Sequence, residues 1–226
     1  MKRALLFDID GTLIHTGGAG ARALDRAFKY LFGIDGAMKD INPHGKTDPE
    51  IVREIFKRKL HRQPDPLEMK MALFFYVYFL KHEVDYSLKF RTLPGVKQLL
   101  EVLTEKKGIL LGLATGNVKQ GARVKLSRPG LWGFFAFGGF GSDAENRVKI
   151  LLKAVERASR IAGNSVKPIV IGDTPRDVIA AHRAGIPVLA VATSRYSVED
   201  LKNSGADYIL PDLKDTQRVL EILENY

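Results

Sequence analysis

Short apolar runs recur along this chain of 226 residues, at Ala4–Phe7, Ile109–Ala114, Ile169–Ile171 and Val188–Ala192, and longer helical patterns separate them. Aliphatic and β-branched runs bounded by turn residues read as strands. Strands that alternate with helices predict a parallel sheet with helices packed on it, because each parallel neighbour needs a crossover. The gap between Phe7 and Ile109 is far longer than the dozen or so residues a crossover requires, so it has room for an inserted domain. Residues from about Ala19 to Lys89 read as several helices broken at Gly33, Gly36, Pro43, Gly45, Pro64 and Pro66, with no strand alternation. The expected division is an α/β core of residues 1–18 and 90–226, three-layered and Rossmann-like with a parallel sheet, and an all-α insert of residues 19–89. The tail from Asp212 to Asn225 reads as a last helix with Asp212 or Asp215 as N-cap.

With 45% hydrophobic residues, a chain of this length can bury a full core. There is no cysteine, which excludes disulfides, thiolate catalysis and sulfur-ligated metal sites. Asp8 interrupts the first apolar stretch too early for a signal-peptide core, so a cytoplasmic protein is expected. The longest apolar run, Met71–Leu80, is shorter than the ~18 residues a membrane span needs and is bracketed by Lys70 and Lys81. It reads as a buried or interface helix, and no membrane association is expected. A formal charge of +9 raises the question of nucleic acid. The basic residues are interleaved with Glu and Asp, however, as in Leu103-Thr104-Glu105-Lys106-Lys107, the pattern of solvated helix faces. Only Lys119, Arg123, Lys125 and Arg128 form an unopposed group. It reads as an ordinary basic helix, with attraction of an anionic substrate as the other reading, and no nucleic-acid partner is expected.

The chemistry concentrates where the runs end. Phe7-Asp8-Ile9-Asp10-Gly11-Thr12-Leu13 places two carboxylates around a turn, and Ile171-Gly172-Asp173-Thr174-Pro175-Arg176-Asp177 adds two more after a later strand. Carboxylates in such numbers suit a hard, oxygen-loving cation. By itself, Asp-x-Asp-Gly reads as an Asx turn, and Asp177 is also readable as a first-turn carboxylate stabilised by its helix dipole, a role that can coexist with metal binding. Between the two motifs, Leu113-Ala114-Thr115-Gly116-Asn117 presents a hydroxyl and backbone N–H groups near a helix start, as a phosphate site does and as a simple cap also does.

These three motifs, in this order, resemble the haloacid dehalogenase superfamily over nearly the whole chain, and within it the phosphoglycolate-phosphatase-like branch. The resemblance implies a Mg²⁺-dependent phosphatase acting through a phosphoaspartate, with residues 19–89 as a helical cap of the C1 type. It implies Asp8 as nucleophile and Asp10 as general acid and base. Gly11 and Thr12 would form the turn beside the substrate, and Thr115, Gly116 and Asn117 would bind the phosphoryl group. Asp8, the main-chain carbonyl of Asp10, Asp173 and Asp177 would surround Mg²⁺. The family also uses a cation, commonly the Lys of a Lys-Pro pair, and here Glu145 stands where that Lys often does. The helix expected over Glu145–Ala158 offers Arg147 first and Lys149 second, each also readable as a surface cation on an amphipathic helix.

Substrate choice falls to the cap. His44-Gly45-Lys46-Thr47-Asp48 resembles a cap segment of the same branch, where Lys46 or Thr47 would reach the substrate; a helix N-cap at Thr47 or Asp48 is the competing reading. Gly17-Gly18-Ala19-Gly20 reads as a cap hinge or as a plain flexible loop. The expected partner is a small phosphorylated metabolite, phosphoglycolate among the candidates, and the expected assembly a monomer or homodimer. A phosphosugar mutase, a nucleotidase and a non-catalytic partner-binding protein of the same fold are the alternatives. Gly139-Phe140-Gly141-Ser142-Asp143-Ala144 also matches a dinucleotide fingerprint, but the ribose-binding acid due about twenty residues later is absent, since Asp173 comes later and belongs to the second acidic motif. The five histidines are scattered without metal-ligand spacing.

Overall fold

A computed structural model describes all 226 residues. Its centre is β1 (Arg3–Phe7), whose Ala-Leu-Leu-Phe stretch is buried throughout. Side chains alternate across it, Leu5 and Phe7 to one face, Ala4 and Leu6 to the other, and both faces are covered. All six main strands are parallel, in the order β5-β4-β1-β6-β7-β8: β4 (Ile109–Thr115), β5 (Phe137–Phe140), β6 (Lys167–Gly172), β7 (Val188–Val191) and β8 (Tyr208–Leu210). The Leu5 face packs on α4 (Val96–Glu105), α5 (Lys119–Ser127) and α9 (Thr216–Asn225). The Leu6 face packs on α6 (Arg147–Ala162), α7 (Pro175–Arg183) and α8 (Val198–Asn203). This is the expected three-layer, Rossmann-like α/β fold. The chain winds outward from β1 in both directions, so the loops at the carboxyl ends of β1, β4 and β6 meet at the switch point where such folds place their ligands.

Four strands were legible in advance and the sheet has six. β8 is only three residues long, and β5 reads Phe-Gly-Gly-Phe, with two strand-weakening glycines. A ribbon, β2 (Ile14–His15) antiparallel to β3 (Arg91–Thr92), is too short to show periodicity. The helix expected from Glu145 begins at Arg147 and runs to Ala162, because Asn146 caps it, accepting from the N–H groups of Val148 (2.9 Å) and Lys149 (3.3 Å). Asp215, not Asp212, caps the last helix.

Between β2 and β3 the chain forms α1 (Ala19–Phe32), α2 (Asp48–Ile55), a π-helical turn at Phe56–Leu60, and α3 (Pro66–Asp85). These helices have an apolar core of their own that includes Leu24, Phe28, Val52, Phe56, Tyr76 and Leu80, joined by Val118 from across the site. The run Met71–Leu80 is not buried all round. Ala72, Tyr76 and Leu80 point inward, whereas Phe74 and Tyr78 are exposed. No helix is long and apolar enough to cross a membrane.

Candidate active site

β1 and β6 are neighbours with Phe7 opposite Ile171, so the residues that follow them emerge side by side. The Asp8 N–H donates to the Ile171 carbonyl (2.9 Å), which carries the ladder one step beyond the strand and fixes Asp8 at its end. The chain then turns at Gly11, where φ is 91° and a side chain would overlap the Asp173 carboxylate. Thr12, fully buried, donates its hydroxyl to Asp173 Oδ1 (2.8 Å). On the β6 side, Pro175 opens α7 and Thr174 forms a capping box with Asp177, which folds the Asp177 carboxylate back toward the strand ends. One carboxylate oxygen each from Asp8, Asp173 and Asp177 lie within 4.8 Å of one another, all buried.

Three buried carboxylates repel, and only one cation answers them. Arg147, at the start of α6, pairs with Asp177 Oδ1 and lies 3.8 Å from Asp8 Oδ1. Burial, then the charges of Asp177 and Asp10, push the Asp8 carboxyl up to about 7 against the pull of Arg147 and the Ile9 N–H. Asp173 is pushed well above the carboxylate range by burial and by Asp177 and Asp8. Its Oδ2 is buried with no hydrogen-bond partner, while both oxygens of Asp177 are held, by Arg147 and Thr174. An unpartnered buried oxygen among excess negative charge is what a hard cation satisfies, and all the donors are oxygens, so the cluster can hold a metal ion.

The opposite wall is built from β4 and the start of α5. Thr115 ends β4 fully buried, and its Oγ1 accepts from Asn117 Nδ2 (2.8 Å) and Asn117 N (3.3 Å), leaving its own O–H free to donate. Asn117 Nδ2 also donates to Asp10 Oδ2 (2.8 Å). Lys125, buried on α5, donates to Asp10 Oδ2 and Asn117 Oδ1, both at 2.6 Å. Burial opposes its charge, yet Asp10 and Asp48 outweigh it and hold the Lys125 ammonium above its ordinary pKa. From the helical insert, the Asp48 N–H donates to the Gly116 carbonyl, and Asp48 Oδ2 accepts from the Val118 N–H, each at 2.8 Å. Burial raises Asp48 to about 6, against Lys125 and the Val118 N–H. Between the walls lies a cavity of about 490 Å³ that Asp8, Asp10, Thr115, Lys125 and Arg147 all line.

Of the residues expected here, Asp8, Asp10, Gly11, Thr115, Gly116, Asn117 and Arg147 line this one cavity, and Asp173 and Asp177 sit under Asp8. Four candidates are placed otherwise. The Lys149 side chain is exposed on α6, two residues after Arg147 and so roughly on the opposite side of the helix. Thr12 lies beneath Asp173 and orients it, outside the cavity wall. Thr47 is buried as the N-cap of α2, its hydroxyl taken by the Glu50 N–H. Lys46 contributes to the cavity wall but turns its ammonium to an ion pair with Glu54. Lys125 breaks out of the surface group in which its neighbours placed it. Its position was visible on the buried stripe Gly121, Ala122, Lys125, Leu126, where a charged residue stands at apolar spacing. Asp48 gave no comparable signal. The Gly139–Ala144 stretch ends β5 in a turn with no helix until Arg147, and Asp143 is bound by Arg157.

Residues 5–191 match the family described as haloacid dehalogenase-like hydrolase. The chain is similar to pyrophosphatase PpaX of Oceanobacillus iheyensis, 25% identical over 94% of each chain. It is also similar to a phosphoglycolate phosphatase of Thiobacillus denitrificans, 23% identical over 94% of this chain and 93% of the relative. In fold it resembles CbbY of Rhodobacter sphaeroides, solved with phosphate, at a TM-score of 0.72 and 18% identity, covering 95% of this chain and 96% of that one.

Proposed function

We propose that this chain, which belongs to the haloacid dehalogenase-like hydrolase family and is a phosphatase, hydrolyses a small phosphomonoester by transfer of the phosphoryl group to Asp8 and then to water. The observation that carries the reading is the convergence of Asp8, Asp10, Thr115 and Arg147 on one cavity above the buried cluster of Asp8, Asp173 and Asp177. Asp8 attacks phosphorus with a carboxylate oxygen, and the bond from phosphorus to the ester oxygen breaks with its electron pair. Asp10 gives its proton to that departing oxygen and later takes one from the attacking water. The Thr115 hydroxyl and the Gly116 N–H hold phosphoryl oxygens. Arg147 offers planar, charge-assisted hydrogen bonds to the same group. Asp8, Asp173 and the Asp10 main-chain carbonyl would hold Mg²⁺, with Asp177 beside them; when bound it supplies the positive charge that lets an anionic nucleophile approach an anionic ester.

The helical insert, residues 19–89, acts as the cap over this site. Lys89 and Arg91 line the cavity as well, so the favoured leaving group carries negative charge of its own. Phosphoglycolate and pyrophosphate, the substrates in the relatives' names, both fit that description. The test is phosphate release from a panel including both, with Mg²⁺ and with chelator, for wild type and Asp8→Asn. Metal-dependent release that Asp8→Asn abolishes supports the reading. No release from any ester, or full activity in Asp8→Asn, overturns it, and an isomerised sugar phosphate with little free phosphate turns it into a mutase.

A further inference from the structure

Asp10 has two carboxyl oxygens, and the structure treats them differently. Oδ2 accepts from Lys125 Nζ at 2.6 Å and from Asn117 Nδ2 at 2.8 Å, and no protein group bonds Oδ1. The clamp is closed on itself, because Lys125 also bonds Asn117 Oδ1 at 2.6 Å and Asn117 also bonds Thr115 Oγ1 at 2.8 Å. An oxygen that already accepts from two donors is a poor place for a proton, so the proton Asp10 delivers is confined to Oδ1. The Lys125 side chain is 6% exposed, while that of Asp10 is 40% exposed, toward the cavity. A buried ammonium has no packing rationale on the stripe formed by Gly121, Ala122 and Leu126, where an aliphatic side chain would avoid the desolvation.

Resting on the phosphatase reading above, we propose that Lys125 is a positioning residue that clamps Asp10 Oδ2 and so aims Asp10 Oδ1 at the oxygen of the departing group. The cap contributes to the same clamp. Asp48, at the first turn of α2, is among the charges that stabilise the Lys125 ammonium, and its N–H and carboxylate are tied to Gly116 and Val118 on the core loop. Tyr76 of α3, also buried, lies beside Asp48. The proton donor is therefore fully aligned when the cap is seated on that loop.

The proposal makes a selective demand. The bond from phosphorus to oxygen breaks with its pair on the departing oxygen, which an alkyl ester must protonate through Asp10, whereas p-nitrophenolate departs as a stable anion. kcat/KM reports the free enzyme and substrate up to phosphoryl transfer to Asp8, and so excludes the later use of Asp10 as a base. Lys125→Met should lower kcat/KM for phosphoglycolate about 100-fold and for p-nitrophenyl phosphate less than about threefold. Asp10→Asn should show the same selectivity, Lys125→Met should add no further loss in the Asp10→Asn background, and Lys125→Arg should recover about tenfold. Equal losses on both esters, or losses that multiply in the double variant, overturn the proposal and leave Lys125 as a structural ion pair. If circular dichroism shows that Lys125→Met does not fold, Lys125→Arg decides it: an alkyl-selective loss supports the clamp and a uniform one refutes it. The phosphatase reading fails separately, through wild type that releases no phosphate from either ester, and that outcome also removes the basis for the clamp.

Discussion

Replacing Asp8 by Asn should abolish turnover and stabilise the metal-free protein, and the size of the second effect follows from the site. The Asp8 carboxyl stands at about 7 in the fold, against 3.8 for an ordinary aspartate, chiefly because it is buried and faces Asp177. At about 1.4 kcal/mol for each pH unit, that difference amounts to about 4 kcal/mol of penalty on the ionised form. A group whose folded value is raised binds protons more tightly in the native state. Its contribution is therefore fully present below pH ~4 and is lost as the pH rises through about 7. Asparagine keeps the shape without the charge. The gap between Asp8→Asn and wild type should thus be small near pH 4, widen between pH 4 and 7, and level off above that at roughly 2–4 kcal/mol, about 5–15 °C in Tm for a chain of this size. The assay is thermal unfolding in chelator at pH 5, 7 and 8.5, then repeated with Mg²⁺. Added cation should stabilise wild type more than the variant and narrow the gap. Wild type more stable than Asp8→Asn at pH 8.5 without metal, or a gap that ignores pH, would refute the argument that uncompensated charge is stored in this cluster.

Three further outcomes follow from the same geometry. Arg147→Met leaves Asp177 and Asp8 without their cation, and should cost about 3 kcal/mol in denaturant unfolding together with at least about 100-fold in kcat/KM, whereas Lys149→Met should change either little. Thr47→Ala removes the N-cap of α2 and should lower stability by about 1 kcal/mol, read as ~2–4 °C in Tm, with KM unchanged; a KM rise of tenfold would mean that Thr47 touches substrate. Gly116→Ala would push a methyl group into the Lys46 carbonyl oxygen and within 2.9 Å of Thr47 Cα, so the cap should seat poorly and kcat/KM should fall between about 10- and 100-fold while the α/β core melts cooperatively.

Much of the fold was readable because its signals are local. The alternation of apolar runs with helical spans specifies a parallel sheet, and the strands found early are those buried on both faces, whose composition is continuous. Phe137–Phe140 carries two glycines and Tyr208–Leu210 has only three residues, so their pairing with β4 and β7 supplies what the local sequence lacks. The acidic motifs stood out for a similar reason: each packs several functional side chains into one turn, so a single local conformation presents them together.

The side chains that the sequence could not tell apart depend on what lies across the site. Arg147 and Lys149 are alike on a helical wheel apart from rotation, and only the placement of α6 beside α7 aims the first at Asp177 and leaves the second in solvent. Lys125 belongs to a basic run by its neighbours, yet the packing of α5 turns it inward to Asp10, 115 residues away in the chain. The sequence alone determined the layers of the fold and the chemical types at the strand ends, because apolar periodicity and turn chemistry act over a few residues. The tertiary structure decided which cation meets which carboxylate and how the helical insert meets the core, because charge interactions depend on distance and burial that only the folded chain defines.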